Sequence, residues 1–138
     1  MAEDRLRLQI ITAGGVKFDK PANYVLLPIT GGGEGILADH APILAAVTDG
    51  VVKCEGSGGT DFIYVGAGVA DVFENKIIML VRAAETGENI DLARAEAALS
   101  RAQKRLDEKK EGIDKARAQA SLHRALARIK TYNMYRDS

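Results

Sequence analysis

Two stretches of this chain repeat one another. Residues 90 to 106 read IDLARAEAALSRAQKRL and residues 113 to 129 read IDKARAQASLHRALARI, identical at ten of seventeen aligned positions. Each copy is a complete helical instruction: an Ile-Asp start, an Ala-rich body with Leu or Ile at intervals, and three arginines at fixed offsets. Asp is a good N-cap because its carboxylate accepts from the free amides of the first turn, and glycine is the favoured residue just past a helix end. The first helix is therefore expected from its N-cap Asp91 to Lys110, with Gly112 ending it and the second helix starting at Asp114. The cationic pair Lys109-Lys110 suits a helix C-terminus. In each copy the apolar stripe is spaced four, three, four: Ala95, Leu99, Ala102, Leu106, then Ala118, Leu122, Ala125, Ile129. Small residues alternating with large ones let two antiparallel helices approach closely. So slim a seam makes the hairpin marginal without a further surface, since helices of this length gain most of their stability from packing.

The rest of the chain is a different physical object. All 3 prolines and 13 of the 14 glycines precede residue 90, punctuating short β-branched or alternating runs. These runs are Leu6 to Thr12, Tyr24 to Pro28, Gly50 to Glu55, Asp61 to Gly66, Val69 to Glu74 and Lys76 to Arg82. Six or more short strands at this spacing predict an antiparallel sandwich or flattened barrel rather than βαβ units. The run Ile77-Ile78-Met79-Leu80-Val81 is apolar throughout, which suits a strand covered on both faces. The expected fold is thus an all-β N-terminal sandwich, residues 1–84, followed by a C-terminal antiparallel two-helix hairpin, residues 85–138.

Charge divides along the same line. Residues 1 to 89 carry 7 Lys+Arg against 12 Asp+Glu, and residues 90 to 138 carry 12 against 7, so a net charge of zero hides −5 and +5. No apolar run approaches the roughly 20 residues of a membrane-spanning helix. The start MAEDRLRLQI has acids where a secretory signal places basic residues, so a cytosolic protein is expected. One cysteine, Cys54, and two separated histidines, His40 and His123, provide neither a disulfide nor a metal-ligand cluster.

Folding the hairpin about residues 110 to 112 brings Glu85, Asp91 and Arg94 near Arg124 and Arg128, with Arg101 about two turns inward. Three or four guanidiniums against two carboxylates at a helix N-terminus favour a multiply charged anion such as phosphate. The same arithmetic places Asp114 and Arg117 against Arg105 and Lys109 at the closed end, and spacing does not choose between the two clusters. Either could be plain surface ion pairing, which is common and weak. GGGEG at residues 31 to 35 lacks the Gly-Lys-Ser/Thr and the helix of a phosphate loop. His40 has only Asp39 beside it, and no nucleophile–base pair stands out, so no catalysis is expected. A nucleic-acid role for the Arg-rich helices finds only Tyr132 and Tyr135 for stacking.

Three segments resemble one family. GILADHAPILAAVTDGVV is similar to the signature GELGILPGHAPLLT of the epsilon subunit of bacterial F-type ATP synthase. FIYVGAGVADVFENKIIMLVRAAE resembles the segment that follows it, and IDLARA matches the Ile/Leu-Asp-x-x-Arg-Ala motif opening the first helix. The resemblance implies a noncatalytic rotor subunit whose sandwich binds the gamma subunit and the c-ring. It implies a regulatory hairpin that permits turnover when compact and inhibits ATP hydrolysis when extended into the catalytic alpha/beta head. It also implies ATP as a regulatory ligand of the compact form, with no cofactor required, at Glu85, Asp91, Arg94, Ala95, Arg101, Arg124 and Arg128. Stalk or ring contact would fall on Gly33, Glu34 and His40, where Gly33 stands in place of the family's glutamate and Glu34 is shifted by one. The location implied is the cytoplasmic face of the bacterial plasma membrane, with membrane contact only through the complex. The departures from the family pattern continue at Ala38 and Asp39, which replace proline and glycine.

Overall fold

A computed structural model describes residues 3–108, 112 and 114–138. Ten strands come first: β1 Leu6–Thr12, β2 Gly15–Ala22, β3 Tyr24–Ile29, β4 Gly32–Ile36, β5 Ile43–Val47, β6 Gly50–Gly56, β7 Gly59–Val65, β8 Gly68–Phe73, β9 Lys76–Val81 and β10 Ala84–Thr86. A 3₁₀ turn, Gly87–Asn89, leads into helices α1, Leu92–Asp107, and α2, Lys115–Arg136. The strand order is β10-β7-β6-β3-β5-β8-β9-β1-β2, with β4 pairing β3 off this path. Because β3 and β5 share only the Ile29–Val47 pair, the sheet folds over there into two layers. Every pairing is antiparallel except β1 with β9, which run parallel; that departs from the all-antiparallel expectation and lets the N-terminal strand complete the second layer.

Alternation builds the core. Leu6, Leu8 and Ile10 of β1, Val25 and Leu27 of β3, Val52 and Cys54 of β6, and Ile77, Met79 and Val81 of β9 all point between the layers and are buried. Period-two patterning of this kind is what an amphipathic strand requires. The outer face of β9 is open, contrary to its uniformly apolar sequence: Leu80 is 52% exposed. The strand covered on both faces is β7 instead, where Ile63 and Val65 join the core while Phe62 and Tyr64 lie under α2. Helix α2 settles on β6 and β7, so the second cover is found there and not over β9.

The two helices are capped alike. Asp91 accepts from the Arg94 amide at 3.1 Å and Asp114 from the Arg117 amide at 3.0 Å. Ala95, Ala102, Ala118 and Ala125 are buried in the seam, and Leu99, Leu106, Leu122 and Ile129 flank it half-exposed. The first helix ends earlier than expected: α1 stops at Asp107, and Glu108 is already extended at φ −75 and ψ 128. Lys109 and Lys110 lie outside the described residues. Gly112 has φ 90, in the left-handed region that glycine adopts without strain.

A candidate anion-binding cavity between the hairpin and the sandwich

Among the described residues it is α2 that packs on the sheet, against β6 and β7, through a face that is not the apolar stripe. Ser121, Arg124, Arg128, Thr131 and Tyr135 follow one another at helical spacing. Arg128 lies over the Tyr64 ring, its guanidinium carbon 4.4 Å from the centroid, and its Nε donates to Glu85 Oε1 at 3.3 Å. Thr131 is buried and returns its hydroxyl to the Ala127 carbonyl at 2.8 Å, which satisfies it inside the helix. Gly87 of the 3₁₀ turn lies so close to Tyr135 that a Cβ there would meet its Cβ and, at 2.9 Å, its Cγ. A docking face of this mixed polarity holds by a few specific contacts rather than by area.

Beside it opens a cavity of about 400 Å³ lined by Glu85, Asn89, Asp91, Arg94, Ala95, Ala98, Arg101, Ala125 and Arg128. Six of the seven residues expected at the nucleotide position therefore line one cavity: Glu85 from β10, Asp91, Arg94 and Ala95 from the start of α1, Arg101 from further along it, and Arg128 from α2. Arg124 does not line it. Its Nη2 donates to Ser121 Oγ at 3.1 Å, and Ala125, three residues before Arg128, takes the lining position instead. Asn89 is a lining residue that the pattern of the sequence did not single out, because it sits in the 3₁₀ turn of an aperiodic link.

The two carboxylates are engaged. Asp91 caps α1 and Glu85 holds Arg128, whereas among the described residues Arg94 and Arg101 make no salt bridge. The cavity therefore has three guanidiniums against two carboxylates, an excess of one positive charge. The first amides of α1, at Leu92 and Ala93, have no acceptor within the helix. Together these groups suit a compact polyanion. Beneath them Tyr64 is fully buried, with no hydrogen-bond partner for its hydroxyl, and burial pushes its phenol above the ordinary range, aided by the charge of Asp49.

The closed end of the hairpin carries the repeat's other cluster. A cavity of about 430 Å³ there is lined by Arg105, Glu108, Gly112, Asp114, Arg117 and Ala118, with no residue of the sandwich.

Gly33 and Glu34 fall on β4 and His40 in the loop that follows. Glu34 Oε1 lies 3.2 Å from His40 Nε2, and the ring's Nδ1 lies 2.6 Å from the Ala41 carbonyl oxygen. Asp39 has φ 66, the conformation in which glycine would be relaxed. Arg5 Nη2 donates to its Oδ1 at 2.9 Å and its amide donates to Asn75 Oδ1 at 2.6 Å, so side-chain bonds offset that strain. One row of apolar side chains crosses the outer face of the second layer. By register Ala46 pairs Val69, Val69 pairs Leu80, Leu80 pairs Ile11 and Ile11 pairs Val16. Among the described residues no helix is long and apolar enough to cross a membrane.

Comparison with known proteins agrees with this architecture. Residues 5–87 match the family described as "ATP synthase, Delta/Epsilon chain, beta-sandwich domain", and residues 88–133 match "ATP synthase, Delta/Epsilon chain, long alpha-helix domain". The "ATP synthase epsilon chain" of Pelotomaculum thermopropionicum is 38% identical over 109 residues, which is 79% of this chain and 81% of that one. The protein of the same description from Synechococcus elongatus is 42% identical over 101 residues, 73% of this chain and 74% of that one. A chain in the Euglena gracilis mitochondrial ATP synthase, OSCP/F1/c-ring in rotational state 1, has the same fold with a TM-score of 0.78 at 18% identity, covering 92% of this chain and 81% of that one.

Proposed function

The chain belongs to the ATP synthase delta/epsilon chain family as a noncatalytic, epsilon-type subunit of the central stalk, and on that premise we propose how its two parts work in the rotor. The sandwich is the coupling element, gripped by the gamma subunit and standing on the c-ring. The hairpin is the regulatory element, which restrains ATP hydrolysis when extended into the alpha/beta head and binds ATP when folded. The complex sits at the cytoplasmic face of the bacterial plasma membrane, and this subunit meets the membrane only through its partners.

One observation carries the ATP reading: the cationic cavity takes its walls from β10, α1 and α2 together. It exists as a unit only while α2 is docked, so an anion bound there has differential affinity for the folded form, which is the condition for shifting a population. The apolar row from Ala46 to Val16 supports a protein partner on the outer face of the second layer, since it is contiguous across five strands. The ring contact of this reading falls on Gly33, Glu34 and His40, which β4 and the loop after it carry close together, with Glu34 Oε1 3.2 Å from His40 Nε2.

The test of ATP binding is calorimetry on the purified chain. Arg94→Ala and Arg128→Ala each remove a charged donor, and each should weaken binding about tenfold or more, the scale of one charge-assisted hydrogen bond. Silence of the wild-type protein at millimolar ATP would remove the sensor role. A mechanical inhibitor without nucleotide is the second reading, favoured by the fact that Arg128 already has an internal partner in Glu85. Under either reading, deleting residues 90–138 from the assembled complex raises ATP hydrolysis, and unchanged hydrolysis would count against a regulatory hairpin.

A further inference from the structure

We propose that Tyr64 is a positioning residue for anion binding, holding the Arg128 guanidinium in place at the cavity wall. The proposal rests on the ATP reading above for its affinity measurement, but not for its geometry. Tyr64 sits on β7 with its side chain turned out of the core, under α2, where it is fully buried. Opposite it in the β10–β7 register is Glu85. The two residues of this one cross-strand pair grip Arg128 from two directions: the ring from its face, with the guanidinium carbon 4.4 Å from the centroid, and the carboxylate through Nε at 3.3 Å. Arg128 is at the same time a lining residue of the cavity. A long side chain fixed on two sides has lost its rotamer freedom before the ligand arrives, so less is lost on binding. A flat ring also meets the cation through its face without using the guanidinium's N–H donors, so those not given to Glu85 remain for an anion.

The hydroxyl has no part in this. It has no hydrogen-bond partner, and the arginine meets the ring's face. A phenylalanine should therefore do the same work, and an aliphatic residue of similar bulk should not. That separates positioning from packing.

The experiment uses the full chain, with ATP as the probe. Tyr64→Phe should bind ATP within about twofold of wild type, and Tyr64→Leu about tenfold more weakly, the size expected of a desolvated cation–ring contact. In an Arg128→Gln background, Tyr, Phe and Leu at position 64 should all bind equally weakly, because the residue they would position is gone. Wild-type affinity in Tyr64→Leu overturns the proposal, and so does an equal loss in Phe and Leu. A second measurement needs no ATP. The chain has 4 tyrosines and no tryptophan, so its near-ultraviolet circular dichroism reports tyrosine environments. Arg128→Gln should change that spectrum in the wild-type background and leave it unchanged in the Tyr64→Phe background. If wild type binds no ATP yet this spectral coupling holds, the nucleotide reading fails and the Tyr64–Arg128 contact stands. If the spectrum ignores Arg128, the positioning role falls whatever ATP does.

Discussion

Gly87→Ala should undock the hairpin while leaving the sandwich folded. Gly87 is buried in the 3₁₀ turn, and an added methyl carbon would meet Tyr135 Cβ, Tyr135 Cγ at 2.9 Å and the Phe62 carbonyl oxygen at 3.4 Å. Tyr135 Cβ is fixed to the backbone of α2, so a rotamer change, which moves only Cγ and beyond, cannot clear it; the last turn of the helix itself must move away. Forcing a methyl into a packed contact costs about 1–3 kcal/mol. At about 1.4 kcal/mol per decade, the docked-to-undocked ratio falls roughly 5- to 150-fold. Hydrogen exchange reads this directly, because amides near the sandwich-facing side of α2 exchange through local opening. Protection in α2 should drop by that factor, with the strands β1, β8 and β9 unchanged. Adding Tyr135→Gly removes both colliding atoms and should recover most of the lost protection, less about 1 kcal/mol for glycine in a helix. Once undocked chains predominate, apparent ATP affinity falls with the docked fraction. Unchanged protection of α2 in Gly87→Ala, or equal loss in the sandwich strands, would refute the reasoning.

Other perturbations have equally definite outcomes. At Gly68 an added Cβ would run into the Leu80 carbonyl oxygen and lie 2.7 Å from Val81 Cα, both backbone, so Gly68→Ala should lower sandwich stability by about 3 kcal/mol or more in denaturant unfolding. Hydrogen bonds from Arg5 to Asp39 and from Ser57 to Asp4 hold both carboxyls below the ordinary 3.8. Groups depressed in the folded state contribute stability above their unfolded value and lose it as pH falls. Thermal midpoints should therefore decline from about pH 4 downward, and less steeply in Asp39→Asn. Burial, with the charge of Asp61, pushes the Cys54 thiol up to about 12, so thiol alkylation at pH 8 should require unfolding; fast modification of native protein would contradict the packing. Arg94→Ala should weaken ATP binding, whereas Arg117→Ala, its counterpart in the repeat, should leave it within about twofold by calorimetry.

The parts legible in the sequence are those where one residue type has one reason to be there. Asp91 and Asp114 cap their helices as expected, and the four alanines of the stripe are all buried in the seam. The strand from Leu6 to Thr12 was readable to the residue, because Leu6, Leu8 and Ile10 alternate against polar neighbours. Four strands gave little signal. In β2 only Phe18 and Ala22 are buried and Pro21 interrupts the run, β4 is mostly glycine, β5 alternates only Ile, Leu, Val and small alanine, and β10 has three residues. The Asp/Arg constellation followed from hairpin arithmetic, which knows the distance along a helix but not its rotation. Spacing alone therefore groups Arg124 with Arg128, although Arg124 turns toward Ser121. Tyr64 was invisible as a site residue because its neighbours Phe62, Ile63 and Val65 are also apolar. Only the packing of α2 on β7 separates the two residues that face the helix from the two that face the core.

The two ends of the hairpin show what a repeat can and cannot specify. Arg94, Arg101 and Arg128 correspond by the repeat offset to Arg117, Arg124 and Arg105, and the caps agree within 0.1 Å, at 3.1 and 3.0 Å. Local instructions are thus nearly equal, and so are the cavities, at about 400 and 430 Å³. The difference enters from outside the repeat. At the open end Glu85 and Asn89 close one side and the buried Tyr64 ring supports Arg128, while Arg101 adds a third guanidinium. At the closed end the described lining is Arg105, Arg117, Glu108, Asp114, Gly112 and Ala118, and no strand residue is among it. Among the described residues, only the open end takes part of its lining from the sandwich side, through Glu85 of β10. Binding there reinforces the contact between α2 and the sheet, whereas binding at the other end would act on the hairpin alone. Duplication supplied two equivalent clusters, and the strand that precedes the first copy makes one of them sensitive to whether the hairpin is folded.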